Sequence, residues 1–113
     1  MHELSITESI LGIATDEARR AGATQIRVIR LKVGALTDIV PDSVQFYLDA
    51  LTPGTMAEGV RLETIQVPVG ATCTGCSRFF LVQDYDLTCP SCGEMGKITQ
   101  GRELLVDSLE VEQ

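Results

Sequence analysis

The sequence predicts an α+β fold in which a small sheet with two helices receives an inserted cysteine-rich lobe. Two segments of the 113-residue chain have helical spacing of apolar residues, and three read as strands. All four cysteines lie between residues 73 and 92, where helical periodicity stops. Because the last strand-like segment follows this insertion and needs a sheet to join, we expect one domain from residues 1–68 and 101–113 and a second from residues 69–100.

The first predicted helix runs from Ser5 to Ala21. Ser5-Ile6-Thr7-Glu8 matches a capping box, and Gly22 provides a stop signal. The preceding His2-Glu3 pair is therefore expected just outside the helix start. The predicted core face is a mostly apolar stripe that consists of Ile6, Ile10, Ile13, Ala14, Glu17, Ala18 and Ala21.

The second predicted helix follows a loop from Ala35 to Val40. Pro41 and Asp42 open this helix, and Thr52-Pro53-Gly54 closes it. Its apolar stripe has the spacing i, i+3, i+4, i+7 and consists of Val44, Tyr47, Leu48 and Leu51.

Three strands are predicted: Gln25 to Val33, Val60 to Val67 and Glu103 to Glu112. The first alternates apolar Ile29, Leu31 and Val33 with basic Arg30 and Lys32. The simplest sheet places the third strand beside those of the first half. The chain would then enter and leave the insertion through two adjacent strands.

The composition limits the classes of partner. A formal net charge of −7 argues against nonspecific nucleic-acid binding, since a basic surface supplies most of that affinity. No apolar run approaches the length of a membrane span, and the N-terminus lacks the basic start and apolar core of a signal peptide. We therefore expect a cytoplasmic protein that binds neither nucleic acid nor membranes. In that compartment four cysteines are more often metal ligands than disulfides.

The cysteines form two C-x2-C motifs, Cys73-Thr74-Gly75-Cys76 and Cys89-Pro90-Ser91-Cys92, with twelve residues between them. Each motif can point two thiolates at one ion, and the strand-like Phe79-Phe80-Leu81-Val82 brings the second motif back over the first. Four thiolates fill a tetrahedral Zn(II) shell and leave no open position, which is typical of a structural site. Disulfides, an iron–sulfur cluster and a redox C-x-x-C pair are the alternatives. We expect a zinc ribbon whose metal supplies much of its stability.

The only histidine is residue 2, one peptide bond from the α-amine of Met1. That amine, the His2 amide nitrogen and the His2 ring nitrogen can close fused chelate rings on one ion. Such a planar, nitrogen-rich donor set suits Ni(II) or Cu(II) better than Zn(II). Without further context, a histidine at this position is more often an incidental residue at a frayed terminus. Glu3 can offer its amide nitrogen, its carboxylate or an orienting hydrogen bond, or only a favourable charge near a helix start.

Several of these features occur together over essentially the whole chain. They are the Met1-His2-Glu3 start, the strand end Val33-Gly34-Ala35-Leu36, the stretch from Ala57 to Glu63, the paired C-x2-C motifs and the terminal strand from Leu104 to Glu112. In this combination the chain resembles the HypA/HybF family of nickel metallochaperones, which serve hydrogenase maturation. The resemblance implies that nickel binds at the N-terminal Met1, His2 and Glu3. It implies structural zinc at Cys73, Cys76, Cys89 and Cys92.

The resemblance also implies partners and an absence of catalysis. It implies a GTPase that helps to load nickel, and the large subunit of a nickel–iron hydrogenase as recipient; some members also supply urease. We expect a metal carrier rather than an enzyme, as a monomer or weak homodimer. Some members use an aspartate in the loop after the first strand as a further nickel ligand. Val40 stands at about that place here, between Asp38 and Asp42.

The competing interpretation is a zinc-ribbon module that binds another protein or associates with nucleic acid, with an incidental His2. Ribbons that bind nucleic acid usually present clustered Lys and Arg with exposed aromatic side chains. Arg78 is the only basic residue between Cys73 and Cys92. No second histidine is present to complete a catalytic pair. A non-enzymatic metal carrier is therefore favoured.

Overall fold

The computed structural model describes residues 2–113, and its α+β architecture confirms the predicted fold class. Its elements in chain order are α1 (His2–Arg20), β1 (Gln25–Gly34), α2 (Pro41–Leu51), β2 (Arg61–Val67), β3 (Gly70–Cys73), β4 (Phe79–Leu81), β5 (Gly96–Gln100) and β6 (Leu104–Glu112). The strands form two three-stranded sheets, ordered β2-β1-β6 and β4-β3-β5. Within residues 2–113 no helix is both long and apolar enough to cross a membrane.

The chain divides into two compact units. The helical unit contains the residues up to 32, together with Ile39–Ile65 and Leu105–Gln113. The cysteine unit contains Val33–Asp38 and Gln66–Leu104. Each unit has buried apolar residues of its own, and each carries one of the two sets of residues that the sequence singles out as metal ligands.

Helix α1 begins three residues earlier than the sequence predicts, so the His2-Glu3 pair lies inside its first turn. The capping-box prediction is wrong because the hydroxyls turn back to carbonyls of the helix itself. Ser5 Oγ donates to the His2 carbonyl at 3.0 Å, and Thr7 Oγ1 donates to the Glu3 carbonyl at 2.6 Å. The predicted stop is right: Gly22 has a φ of 73°, with hydrogen bonds from Gly22 to Arg19 and from Ala23 to Ala18 that form a Schellman motif.

The buried face of α1 agrees with the predicted stripe only in part. Ile10, Ala14 and Ala18 are buried, as expected, whereas Ile13 is 51% exposed. Thr7 occupies a fully buried position, because its hydrogen bond to the Glu3 carbonyl satisfies the hydroxyl. Among the residues predicted for the face of α2, Val44 and Leu48 are buried, Tyr47 is half-buried and Leu51 is exposed. The largest fully buried side chains of the helical unit are Ile26, Ile29, Leu31, Val44, Leu48 and Thr7.

Strand β1 is the centre of the first sheet, with β2 on one side and β6 on the other. The return of the last strand to this sheet is therefore confirmed. The prediction that the insertion enters and leaves through two adjacent strands is wrong, because each of these strands fills a different open edge of β1. On the exposed face, Arg30 pairs with Glu63 of β2 at 3.0 Å and also with Glu110 of β6. Such surface pairs contribute little to stability.

The cysteine unit has a small core around β3, which pairs antiparallel with β4 and β5. Its buried residues are Ala71, Cys73, Phe80 and Cys89, with Val82 and Leu87 packed against them. The ring of Phe80 lies directly on Gly96, where an added Cβ would be 2.6 Å from the ring. Two of these four buried residues are cysteines, so half of the core of this unit consists of candidate metal ligands.

Candidate metal centre

The four cysteine sulfurs converge on one point, as the sequence predicts. All four Sγ atoms lie within 4.8 Å of one another, and the closest pairs are Cys73–Cys92 at 3.3 Å and Cys76–Cys89 at 3.7 Å. A tetrahedral zinc with Zn–S bonds of about 2.3 Å separates its sulfurs by about 3.8 Å. The same distances far exceed a disulfide bond of about 2.05 Å, and all four cysteines are free. The donor set therefore fits structural zinc.

The two C-x2-C motifs fold into turns of the same construction, which we call knuckles. In the first, Ser77 N–H donates to the Cys73 carbonyl at 3.1 Å; in the second, Gly93 N–H donates to the Cys89 carbonyl at 3.0 Å. Ser77 and Gly93 both have left-handed φ values, of 66° and 80°. Each left-handed residue reverses the chain directly after the second cysteine of its motif, so both thiolates of the motif face the same side.

Backbone amides of the knuckles point at the sulfurs. The N–H groups of Gly75 and Cys76 donate to Cys73 Sγ at 3.3 and 3.4 Å, and Ser91 N–H donates to Cys89 Sγ at 3.4 Å. These hydrogen bonds stabilise negative charge on sulfur, which the metal requires because thiolates rather than thiols are its ligands.

The pKa values of the cysteines show that the sulfurs compete for protons. The backbone N–H of Cys76, followed by the Cys92 thiol and the N–H of Gly75, lowers the pKa of Cys73 to about 6 despite its burial. The N–H of Glu94 favours the thiolate of Cys92, but the neighbouring thiols and burial outweigh it and raise the pKa of Cys92 to about 12. Four thiolates this close repel one another, so only a bound cation allows all of them to ionise together.

The knuckles are joined to each other around the site. Arg78 donates to the hydroxyl of Ser91 in the other knuckle, and Thr74 Oγ1 donates to the Met95 carbonyl at 2.9 Å. Cys73 and Cys89 are buried, whereas Cys76 and Cys92 are exposed. All four protein ligands come from the tetrad, so no coordination position remains for a substrate, as in structural rather than catalytic zinc sites.

The second set of predicted ligands lies at the start of α1. The side chain of His2 is exposed and that of Glu3 is half-buried, while Met1 lies outside the described residues. Among residues 2–113, the cysteine tetrad is the only group of three or more His, Cys, Asp or Glu side chains that converge on a common point. The structure therefore adds no further side chain to His2 and Glu3. The backbone N–H groups of His2 and Glu3 belong to the first turn of α1. N–H groups in a first turn have no acceptor within the helix, so these two point away from its N-terminal end.

The loop before α2 is the region where the family resemblance implies an additional aspartate ligand. Val40 precedes α2 and makes no side-chain cap to it, and its side chain is half-exposed. Asp38 has a left-handed φ of 59°, and Asp42 lies in the first turn of α2. The carboxylates nearest to the place of the additional ligand that the resemblance implies are thus those of Asp38 and Asp42, on either side of Val40.

A comparison with family models matches residues 1–111 to the family described as hydrogenase/urease nickel incorporation, metallochaperone, hypA. The chain belongs to the HypA family. The match extends through both units of the chain rather than the cysteine unit alone, so it disfavours the alternative of a zinc ribbon with an incidental N-terminal histidine.

Curated HypA relatives support the same assignment over their full lengths. The chain is 40% identical to hydrogenase maturation factor HypA of Acidithiobacillus ferrooxidans and 40% identical to that of Geobacter metallireducens. It is 36% identical to hydrogenase maturation factor HypA 2 of Bradyrhizobium diazoefficiens. Each match covers 99% of this chain and 100% of the relative. These relatives are named as hydrogenase maturation factors, and the family is described as one of metallochaperones.

Two solved structures share the fold. The Ni metallochaperone HypA from Helicobacter pylori superposes with a TM-score of 0.71 at 21% identity, covering 97% of each chain. A second HypA solution structure gives a TM-score of 0.77 at 23% identity, covering 98% of this chain and 96% of the other. At these identities the likeness concerns the fold alone, which it confirms along nearly the whole chain.

Some site residues escaped sequence reasoning. The matched pair Ser77 and Gly93 and the amide-to-sulfur hydrogen bonds become visible only in three dimensions. A signal existed in the second motif, since a glycine one position after C-x2-C favours a left-handed turn. No comparable signal marks Ser77, because serine rarely adopts that conformation.

Proposed function

We propose that this chain binds Ni(II) at its N-terminus and hands it on during the maturation of a nickel enzyme. The donors are the α-amine of Met1 and the amide and ring nitrogens of His2. The zinc tetrad keeps the cysteine unit folded. The protein acts as a carrier and not as an enzyme, because the nickel ion is transported and does not catalyse a reaction in this protein.

The observation that carries this proposal is the placement of His2 in the first turn of α1 with its side chain in solvent. The carbonyls of His2 and Glu3 are held by Ser5 and Thr7, so the backbone of this turn has a defined course while the imidazole stays accessible. A cargo ion must enter and leave, and a terminal site permits both. The planar nitrogen donor set is one that Ni(II) accepts.

The proposal is tested by comparing protein with a native terminus against two matched forms. One form is acetylated on the α-amine, and the other is extended by three glycines before Met1, because a single glycine would place the histidine third in the chain and create a new amine–amide–imidazole nickel site. Nickel titration followed by calorimetry and visible absorption should show one tight site only in the native form, with zinc content equal in all three. Equal nickel affinity in the native and acetylated forms would rule out the α-amine as a donor.

The role of Glu3 can be separated by two substitutions. Glu3→Gln keeps the amide nitrogen and most hydrogen-bonding capacity but removes the charge, and Glu3→Ala removes the side chain altogether. If the carboxylate is a ligand, both variants weaken nickel binding equally. If Glu3 orients the site by a hydrogen bond, glutamine retains most of the affinity. If only its amide takes part, neither substitution changes the nickel stoichiometry.

We further propose that loading requires a partner GTPase and that the recipient is the large subunit of a nickel–iron hydrogenase, with urease as the alternative. The thiolate tetrad is stable only where thiols stay reduced, which supports a cytoplasmic site of action. We assign residues 1–68 and 101–113 to a nickel-binding domain and residues 69–100 to a zinc-binding domain, in a monomer or weak homodimer. Assay of both enzyme activities in cells that lack this gene, with and without added nickel, distinguishes the two recipients.

A further inference from the structure

The cysteine unit contains an apolar groove that neither metal site uses. Its volume is about 510 Å³, which is within the range of ligand and side-chain pockets. Residues from separate parts of the unit form its walls: Ala35, Leu36, Val69, Val82, Leu87 and Ile98, with Asp84 and Tyr85 at one end. Asp84 is the only charged residue among them.

The turn at the end of the groove is strained and carries an exposed aromatic ring. Gln83 and Asp86 are bridged, and Asp86 N–H donates to the Gln83 carbonyl at 2.9 Å, so Asp84 and Tyr85 form a two-residue hairpin turn. Their φ values of 53° and 61° are both left-handed, a conformation that favours Asn-Gly or Asp-Gly in such turns. Tyrosine is unfavourable there, yet its side chain is 94% exposed and makes no core contact in return.

The walls of the groove are fixed by backbone hydrogen bonds. Ala35 N–H donates to the Val67 carbonyl at 2.9 Å, Leu36 N–H to the Gly101 carbonyl at 2.8 Å, and Val82 N–H to the Val69 carbonyl at 2.9 Å. The loop that supplies Leu36 is therefore anchored, and the groove is formed before anything binds. A preformed apolar surface with one exposed tyrosine is the arrangement found where proteins dock.

The charges around the groove select its occupant. Tyr85 is flanked by two carboxylates, Asp84 and Asp86, and the pKa of Asp86 is lowered because the backbone N–H of Thr88 donates to its carboxylate. The residues of the cysteine unit include five acidic and three basic side chains, before the negative tetrathiolate site is considered. A second copy of this chain, itself at −7, would bring like charge to the turn. A cation beside an apolar side chain would meet both the carboxylates and the ring face of Tyr85.

The geometry points to a docking site in the cysteine unit, where the groove takes an apolar side chain of a partner protein and the Asp84-Tyr85-Asp86 turn binds an adjacent Lys or Arg. The site lies apart from the N-terminal turn in sequence and uses none of its donors, so it stands whether or not nickel binds there. It gives the chain a way to recognise a protein through chemistry that is independent of the metal.

The first test uses a blocked synthetic peptide as probe, acetyl-Gly-Gly-Arg-Leu-Arg-Leu-Gly-Gly-amide, added to zinc-loaded full-length protein. Amide chemical shifts should change at Val82, Tyr85 and Ile98. A peptide with Glu in place of Arg and one with Ser in place of Leu should each bind roughly tenfold more weakly or worse. Absence of binding by the first peptide, or equal binding by all three, would overturn the proposal.

The second test uses Tyr85→Asn, because asparagine tolerates the left-handed conformation and the hairpin therefore keeps its fold. Peptide affinity should fall roughly tenfold or more, with zinc content and thermal stability unchanged or improved. Phe46→Asn is the matched control, since Phe46 is an exposed aromatic of the helical unit at 67% and should leave binding unchanged. Asp84→Asn should weaken binding and reduce its salt dependence.

Two results of the second test would count against the site. Unchanged affinity in Tyr85→Asn would show that the peptide binds elsewhere. Self-association of the wild type in sedimentation experiments that disappears in Tyr85→Asn would show that the groove holds a second copy of this chain instead of a basic partner.

Discussion

The cysteine tetrad and the N-terminal turn that we propose as the nickel site are built in opposite ways. In the tetrad, four ligands from two knuckles converge within 4.8 Å, and two of them, Cys73 and Cys89, belong to a small core. At the N-terminus, the candidate ligands are consecutive residues on an exposed helix end, and no other described side chain joins them. On our proposal, this difference would let one chain retain one ion and release another. The zinc would be held by residues on which the cysteine unit depends, and the nickel would bind at an exposed helix end.

The largest effect is expected at Cys73, whose loss tests whether the fold of the cysteine unit depends on its metal. Cys73→Ser should abolish stoichiometric zinc binding and unfold the cysteine unit, because structural zinc contributes about 10–16 kcal/mol to small zinc-dependent folds at neutral pH. The helical unit has its own apolar core and should remain folded. Zinc analysis with hydrogen exchange across β3, β4 and β5 measures both effects. Unchanged protection in a zinc-free protein would contradict the structural role of the metal.

The complementary change is His2→Ala, which should abolish nickel binding and leave the fold untouched. His2 is exposed and contributes nothing to the core, so the thermal midpoint and circular dichroism should match those of the wild type. Nickel and zinc should be measured on the same sample. Loss of zinc in this variant would show that the two sites are not independent, and full nickel binding would place the cargo site elsewhere.

A third substitution tests whether the helical unit really depends on apolar packing rather than on metal. Leu48 of α2 is fully buried, so Leu48→Ala should lower the free energy of unfolding of that unit by about 2–5 kcal/mol. Zinc stoichiometry should not change, since the tetrad lies in the other unit. Exposed Leu51→Ala on the same helix is the control and should cost far less. A similar loss at both positions would indicate that burial does not govern the stability of the helical unit.

The smallest expected effect distinguishes the two knuckles. Ser77 adopts the left-handed conformation that Gly93 adopts in the equivalent position, so Ser77→Gly should relieve strain and stabilise the zinc-bound unit by up to about 1 kcal/mol. Gly93→Ala should destabilise it by a similar amount. Chelator competition and thermal unfolding provide the measurement. Opposite signs for the two changes are expected, and equal signs would mean that the knuckles are not equivalent in energy.

Local patterns in the sequence were sufficient for most of the fold and for the tetrad. Helix α2 and strand β1 follow from spacings of apolar residues within a few positions, and the paired C-x2-C motifs specify their own turns. The start of α1 was misplaced because Ser5 and Thr7 look like capping residues, although their hydroxyls donate to carbonyls within the helix. The sequence pattern alone cannot distinguish a hydroxyl that caps the start of a helix from one that donates to a carbonyl inside it.

The features that sequence reasoning missed combine distant segments. The groove needs Leu36, Val69 and Ile98 at one place, and nothing local in the sequence indicates that they meet. Tyr85 reads as an ordinary residue of a short loop until its conformation and exposure are known. The position of β1 between β2 and β6 likewise depends on pairing between segments far apart in the chain, which periodicity does not encode.

The pairing of β6 with β1 has a consequence for how the protein is made. Thr24 N–H bonds to the Glu112 carbonyl at 2.7 Å across a separation of 88 residues, whereas the strands of the cysteine unit pair within a short stretch of chain. Local contacts form faster than distant ones, and β6 is the last of the described strands to leave the ribosome. The cysteine unit can therefore acquire zinc before β6 has paired with its edge of β1. In a zinc-starved cell, the newly made chain would expose both the unfolded cysteine unit and the unpaired edge of β1. Degradation of that chain would therefore increase as the supply of zinc falls.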